Sequence, residues 1–305
     1  MRVFGTISAI AILFQIVDLK SICHSIAHSD SRFLLAAGFL AFLSVAIISL
    51  RLKLFLSVVG YPVTFLNCLT ATMCGLSLNL ILPARGGDLL KLAYLPKNQE
   101  PSLGILASAA LLERCFDILA LGLIGLTASL LLGLQNAAIA SGLVVFGTIL
   151  GLLLLPRMGS LPIIGKKLGN FPKIIQQTSR CKLELLACFF IACLCWTTNS
   201  IIMGFLVKAF DNTVSITHAF SATPPSILVG IVPVSLWGVG TRDGALAYFL
   251  QGLTAPENAI SAGFLYTAFV YWLLGLIGLP ALFFAKRKTK DMTDQSPESN
   301  APGPS

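Results

Sequence analysis

Apolar runs of 15 to 33 residues, separated by short polar or basic segments, account for most of this 305-residue chain. A helix rises about 1.5 Å per residue, so roughly 20 apolar residues cross a hydrocarbon core of about 30 Å. By that measure residues 3–17 form a short span, and 33–50, 102–133, 137–155, 185–207 and 259–285 form full ones. Two further apolar stretches are broken internally. Residues 54–84 contain Gly60, Pro62, Gly75 and Pro83, and residues 221–253 contain several prolines and glycines, with Pro224-Pro225 read as a break at the entrance. The expectation is an all-α polytopic membrane bundle of about six spans plus two broken segments, built as one domain over residues 1–285. Residues 286–305, charged and then rich in Ser, Pro and Asn, read as a disordered tail.

The basic residues orient this pattern. Residues 157–182 carry six of them and no acid, and the tail opens Lys286-Arg287-Lys288-Thr289-Lys290, so both face the cytoplasm under the positive-inside rule. Arg51 and Lys53 mark the inner end of the second span in the same way. Counting spans from these fixed points places both termini inside. It also places both ends of residues 54–95 inside and both ends of 221–253 outside. Each broken segment therefore enters and returns, as a re-entrant hairpin or a pair of thin spans. Two oppositely directed hairpins are the pattern of an inverted repeat, and broken helices meeting inside the bilayer form the binding element of many transporters.

Composition agrees: 56% of residues are hydrophobic and 11% charged, with a mean hydropathy of +0.86. That leaves too little charge to clothe a soluble domain of this size. The net charge of +8 is a topology signal, because the basic residues sit between spans without the interleaved aromatics of a nucleic-acid groove. Eight cysteines show no paired spacing, and His24 with His28 lacks a third ligand, so neither a metal nor another cofactor is expected.

Three charged groups fall within the apolar pattern. The first broken segment turns at Asn79 to Asp88, where Pro83 stops one arm, Gly86-Gly87 permits a sharp reversal, and Asp88 is placed to cap the returning helix beside Arg85. The second turns at Pro233, Gly238 and Gly240, followed by Arg242 and Asp243, with Thr241 as a helix cap. Each tip sets a helix N-terminus beside an arginine, a combination suited to phosphate. Each arginine also has an intramolecular alternative, Arg85 with Asp88 and Arg242 with Asp243 or an acid on another helix. The third group is Glu113-Arg114-Cys115-Phe116-Asp117. On a helix Arg114 reaches Asp117, leaving Glu113 to meet Arg85 or Arg242, with a proton relay through either acid as a further reading.

Asn79, the run Pro83 to Asp88, Glu113-Arg114-x-x-Asp117 and Pro233 with Gly238-x-Gly240 together resemble the transmembrane region of lysylphosphatidylglycerol synthases and the related stand-alone flippase-like proteins. The resemblance covers all but the tail. The late motif departs from the family pattern, with Ser235-Leu236-Trp237 and Thr241-Arg242-Asp243-Gly244 where the family commonly shows Pro-Gly-Gly-x-Gly-x-x-Glu. The resemblance implies flipping or binding of a charged lipid in a bacterial inner membrane, the candidates being an anionic phospholipid, an aminoacylated lipid or a polyprenyl phosphate. About twenty residues follow Ala285, too few for the soluble aminoacyl-transferase domain of the bifunctional relatives. A non-catalytic partner of a lipid or glycan synthase, a homo-oligomer and a membrane-embedded transferase are the competing readings.

Overall fold

The computed structural model describes residues 29–82, 86–95, 103–158, 181–231 and 237–282. The span at 3–17, His24 and His28, Pro83 and Arg85, most of the basic segment 157–182, Pro233 and the tail lie outside the described residues.

Among the described residues every element is helical. Helix α1 is Ser31–Val58, α2 is Phe65–Ile81, and α3 is Gly87–Leu90, continued by a 3-10 turn over Lys91–Tyr94. Then come α4 (Leu103–Leu131), α5 (Gln135–Met158), α6 (Lys182–Phe210), α7 (Ile216–Ile231) and α8 (Thr241–Phe249). The last, α9, is Pro256–Leu282 and is interrupted by a π-helical turn at Ala268–Leu273. Five of these are long and apolar enough to cross a membrane, and they correspond to the five spans expected after residue 30.

Their side chains are distributed inside-out relative to a soluble protein. Leu35, Phe39, Leu131, Leu143, Phe146 and Leu183 stand exposed on the outside, while Arg51, Lys91, Glu113, Asp117, Arg242 and Asp243 are buried within. Lipid is the solvent that makes this arrangement favourable. The chain is a polytopic helical membrane protein.

The centre of the bundle is the antiparallel pair α1 and α6. The Asp30 amide at the start of α1 donates to the Ala209 carbonyl at the end of α6, at 2.9 Å. Ala37, Ala41 and Val45 then pack along Ile202, Met203 and Leu206, with small residues allowing the close approach that membrane helices depend on. Helices α4 and α5 form a second antiparallel pair, joined at Leu132-Gly133-Leu134. At the end of α6, Asp211 takes hydrogen bonds from Thr213 and, across the loops, from Thr254 at 2.7 Å. Partial burial raises its carboxyl pKa, but these bonds outweigh that and hold it below the ordinary aspartate value.

Both broken segments fold back on themselves. At 17 residues α2 is about 25 Å long, and the eight helical residues after it cover about 14 Å. In the second segment α7 has 16 residues and α8 nine, again about 24 and 14 Å. The first pair of arms meets at Gly75 and Gly87. A Cβ on Gly87 would collide with the Gly75 carbonyl oxygen and sit 2.7 Å from Asn79 Oδ1, so the arms close only with glycine there. The second pair meets at Gly230 and Gly238, and its turn uses positive φ at Trp237, Gly238 and Gly240. Thus the element order, long helix, arm, return arm, long helix, occurs twice, as α1–α4 and as α6–α9.

Three local expectations need correction. Helix α1 does not end near Leu50: it runs to Val58, so Arg51 lies inside it and buried, and Gly60 at φ +81° ends it instead. Pro224 and Pro225 do not break the second segment but lie within continuous α7, where Pro224 packs toward Gly125 of α4. Hydroxyls flanking the prolines bond the helix backbone, Thr223 and Ser226 donating to the carbonyls of Ala219 and Ala222 at 2.6 Å each. Both caps shift by one or two residues, to Gly86 with Asp88 inside the first turn, and to Gly240 with Thr241 as the first helical residue.

Candidate functional site

Five elements converge on one largely buried ionic network. From α4, Glu113 and Asp117 project on the same face four residues apart, both under 5% exposed. Their main partner comes from α1: Arg51 donates through Nη2 to Glu113 Oε1 at 2.7 Å and through Nη1 to Asp117 Oδ1. Lys91 of the first return arm approaches Glu113 Oε2 at 3.4 Å. Trp196 of α6 donates its indole N–H to Asp117 Oδ1 at 2.8 Å. Arg114 turns the other way, pairing with Asp88 of α3 and reaching Asp117 Oδ2 at 3.4 Å. Asn79, in the last turn of α2, donates to Asp88 Oδ1 at 3.0 Å and so ties the two arms together.

These groups border a cavity of about 80 Å³, lined by Arg51, Asn79, Asp88, Lys91, Arg114 and Asp117 on one side. Trp196, Asn199, Tyr266, Tyr271 and Leu274 complete it. At roughly 10–15 Å³ per water, the space admits several waters or a small polar group. Three cations and three carboxylates make the described network neutral, which is what lets charges persist in an apolar bundle. The π-helical turn of α9 falls beside the cavity, since Val270 and Tyr271 belong to it and line the wall.

The second hairpin touches this site without joining the network. Trp237 at its tip donates Nε1–H to the Asn79 carbonyl at 3.0 Å, so the ends of the two oppositely directed arms meet. Arg242 and Asp243 lie deeper, 2% and 1% exposed. Arg242 Nε donates to Asp243 Oδ1 at 2.9 Å, and Nη2 donates to Asp243 Oδ1, to the Gly263 carbonyl and to Thr267 Oγ1. Asp243 Oδ2 accepts the Gly240 amide at 3.0 Å, closing the turn. Tyr266 stands at the boundary: its ring lies under the Arg242 guanidinium, 4.8 Å from the centroid, its hydroxyl donates to Asn199 Oδ1 at 2.6 Å, and it lines the cavity.

Of the residues singled out in sequence, Asn79, Asp88, Glu113, Arg114 and Asp117 come together, with Gly87 making the approach possible. Arg242 and Asp243 form their own pair one layer away, the intramolecular arrangement. Among the described residues the partners of Glu113 are Arg51 and Lys91; of the two arginines the sequence pointed to, Arg242 is committed elsewhere and Arg85 lies outside the described residues. Arg51, Lys91 and Trp196 escaped the sequence reading. Arg51 sits 62 and 66 positions from its acids, and its nearness to Lys53 gave it the look of a topology marker. One signal was present, since neither Gly nor Pro occurs between Gly38 and Gly60, a stretch that therefore carries Arg51 on a helix. Among the described residues no group of His, Cys, Asp and Glu has metal-binding geometry.

Comparison with known proteins adds two findings. The family described as the lysylphosphatidylglycerol synthase TM region matches residues 2–278. A UPF0104 membrane protein of Methanocaldococcus jannaschii is 21% identical over 303 residues, covering 89% of this chain and 90% of that protein.

Proposed function

Since the chain belongs to the lysylphosphatidylglycerol synthase transmembrane-region family, we propose that it carries a charged lipid or lipid-linked head group between leaflets through the cleft bordered by the ionic network. The observation that carries this reading is a neutral, six-member ionic network, four of its charges buried, beside a cavity where two oppositely directed hairpins meet. Burying Arg51, Lys91, Glu113 and Asp117 in an apolar bundle is expensive, and a purely structural bundle would gain by replacing them with packed hydrocarbon. Their presence at the wall of a cavity is explained by a ligand whose charge must be accommodated inside the membrane.

The head group enters the polar cleft while its acyl or prenyl chains stay in the surrounding lipid. The hairpins are re-entrant in this reading, the first from the cytoplasmic side and the second from the outer side, with both termini cytoplasmic and the protein in a bacterial inner membrane. Movement requires the Trp237–Asn79 contact between the tips to open and re-form, so that the cleft faces one leaflet at a time. A transporter is favoured over a membrane transferase because the cavity presents paired charges and indole and phenol donors, and among the described residues its hydroxyls, Ser44 and Thr72, donate to backbone carbonyls rather than to a base.

Reconstitution into liposomes tests the function. Wild-type protein is expected to speed exchange of at least one labelled phospholipid or polyprenyl phosphate at least tenfold over protein-free vesicles. Asp88→Asn, which weakens the Arg114 anchor of the first hairpin, is expected to lower that rate several-fold. Folded protein that exchanges none of these lipids contradicts the reading.

A further inference from the structure

The unused hydrogen-bonding capacity of the network identifies what it receives. Its carboxylate oxygens are all engaged: Asp117 Oδ1 by Arg51 and Trp196, Asp117 Oδ2 by Arg114, both Glu113 oxygens by Arg51 and Lys91, and both Asp88 oxygens by Asn79 and Arg114. Its donors are not. Among the described residues Arg51 Nε has no hydrogen-bond partner, although the residue is only 6% exposed. Lys91 is 4% exposed, and its ammonium, with three N–H donors, has the 3.4 Å contact to Glu113 as its hydrogen bond. Both residues line the cavity. Buried donors left without acceptors are costly, more so when they carry charge. A ligand that lowers this cost brings acceptor oxygens. The buried acceptor that also lacks a partner, Asn79 Oδ1, lies against Gly87 and does not alter the count.

We propose that Lys91 and Arg51 form a phosphate subsite, receiving the anionic oxygens of a phosphate ester in the cavity between α1 and the first hairpin. This deepens the flippase reading and rests on it for the lipid nature of the ligand. Two oxygens of one phosphate serve the Lys91 ammonium and the Nε–H of Arg51, from opposite elements, while the Arg51 Nη groups stay with Glu113 and Asp117. Occupancy then ties the return arm to α1, which makes hairpin position depend on the ligand. The subsite differs from the sequence expectation, in which Arg85 and Arg242 hold the phosphate. Arg242 is committed to Asp243, Gly263 and Thr267.

The test uses the full chain in detergent, with dihexanoyl phosphatidylglycerol as probe, dihexanoylglycerol as its phosphate-free counterpart and sn-glycerol 3-phosphate as competitor. Lys91→Met is expected to weaken phosphatidylglycerol binding at least tenfold, Lys91→Arg to keep it within about threefold, and dihexanoylglycerol to bind at least tenfold more weakly than phosphatidylglycerol. Competition by glycerol phosphate at the lipid's own concentration assigns the subsite to a soluble phosphate ester, and its failure to compete assigns it to a lipid. Unchanged affinity in a folded Lys91→Met protein overturns the proposal. Should that variant not fold, equal binding of dihexanoylglycerol and phosphatidylglycerol by wild type overturns it instead. Lys91-dependent binding without leaflet exchange in liposomes would sink the flippase reading and leave the subsite standing. Exchange with Lys91-independent binding would do the reverse.

Discussion

Arg51→Met should destabilise the protein by about 3–5 kcal/mol, because it strips the shared cation from two carboxylates that are each at least 95% buried. Lys91 remains beside Glu113, but Asp117 keeps only the Trp196 indole and a 3.4 Å contact from Arg114. A loss of that size lowers the thermal midpoint of a chain this long by roughly 10 °C. The mechanism is uncompensated charge, so removing the orphaned acid should repair it. Arg51→Met with Asp117→Asn leaves Lys91 with Glu113 and Arg114 with Asp88, again neutral, and should recover at least half of the loss. Thermal unfolding in detergent, followed by tryptophan fluorescence, measures both. A double variant no more stable than the single one would show that Arg51 acts through packing, and the charge argument would fail.

The second large effect separates structural from ligand-binding arginines. Asp243→Asn should cost a similar 3–5 kcal/mol, since Arg242 at 2% exposure loses its counter-charge and the Gly240 turn loses a carboxylate acceptor. Phosphatidylglycerol affinity per folded molecule should change less than threefold, because Arg242 reaches the cavity only through Tyr266. Unfolding and binding measured on one preparation decide the matter. An unchanged midpoint with lost binding would return Arg242 to the ligand site, as the sequence at the second tip first suggested.

The sequence revealed the spans because lipid imposes a length and a composition that local pattern records directly. It revealed Glu113, Arg114 and Asp117 because charges within an apolar run stand out, and it put Asn79 and Asp88 at one tip because a glycine-rich turn brings near neighbours together, although their hydrogen bond to each other was not read from it. Arg51 and Lys91 were hidden because their roles are set by contacts between elements far apart in the chain. In local sequence a buried arginine near one end of a run looks like a membrane-edge arginine. The same limit explains Pro224-Pro225, which reads as a break by local rules but lies inside a continuous α7 packed toward Gly125 of α4, a contact that no local pattern displays. Arg242 is the opposite case: its neighbour Asp243 was visible from the start, and the local pair proved to be the actual one.

Central to the proposed function is the entry of a lipid head group into the cavity beside the hairpin tips. A phospholipid carrying a photoactivatable diazirine on its head group, incorporated into proteoliposomes and followed by peptide mapping, tests it most directly. The account predicts labelling of cavity-wall residues on α2 and the first return arm, from Leu76 to Lys91, and on α9 from Val270 to Leu274, with competition by unlabelled short-chain lipid. Labelling confined to outward-facing positions such as Leu143 and Phe146 of α5, and insensitive to competitor, would contradict it.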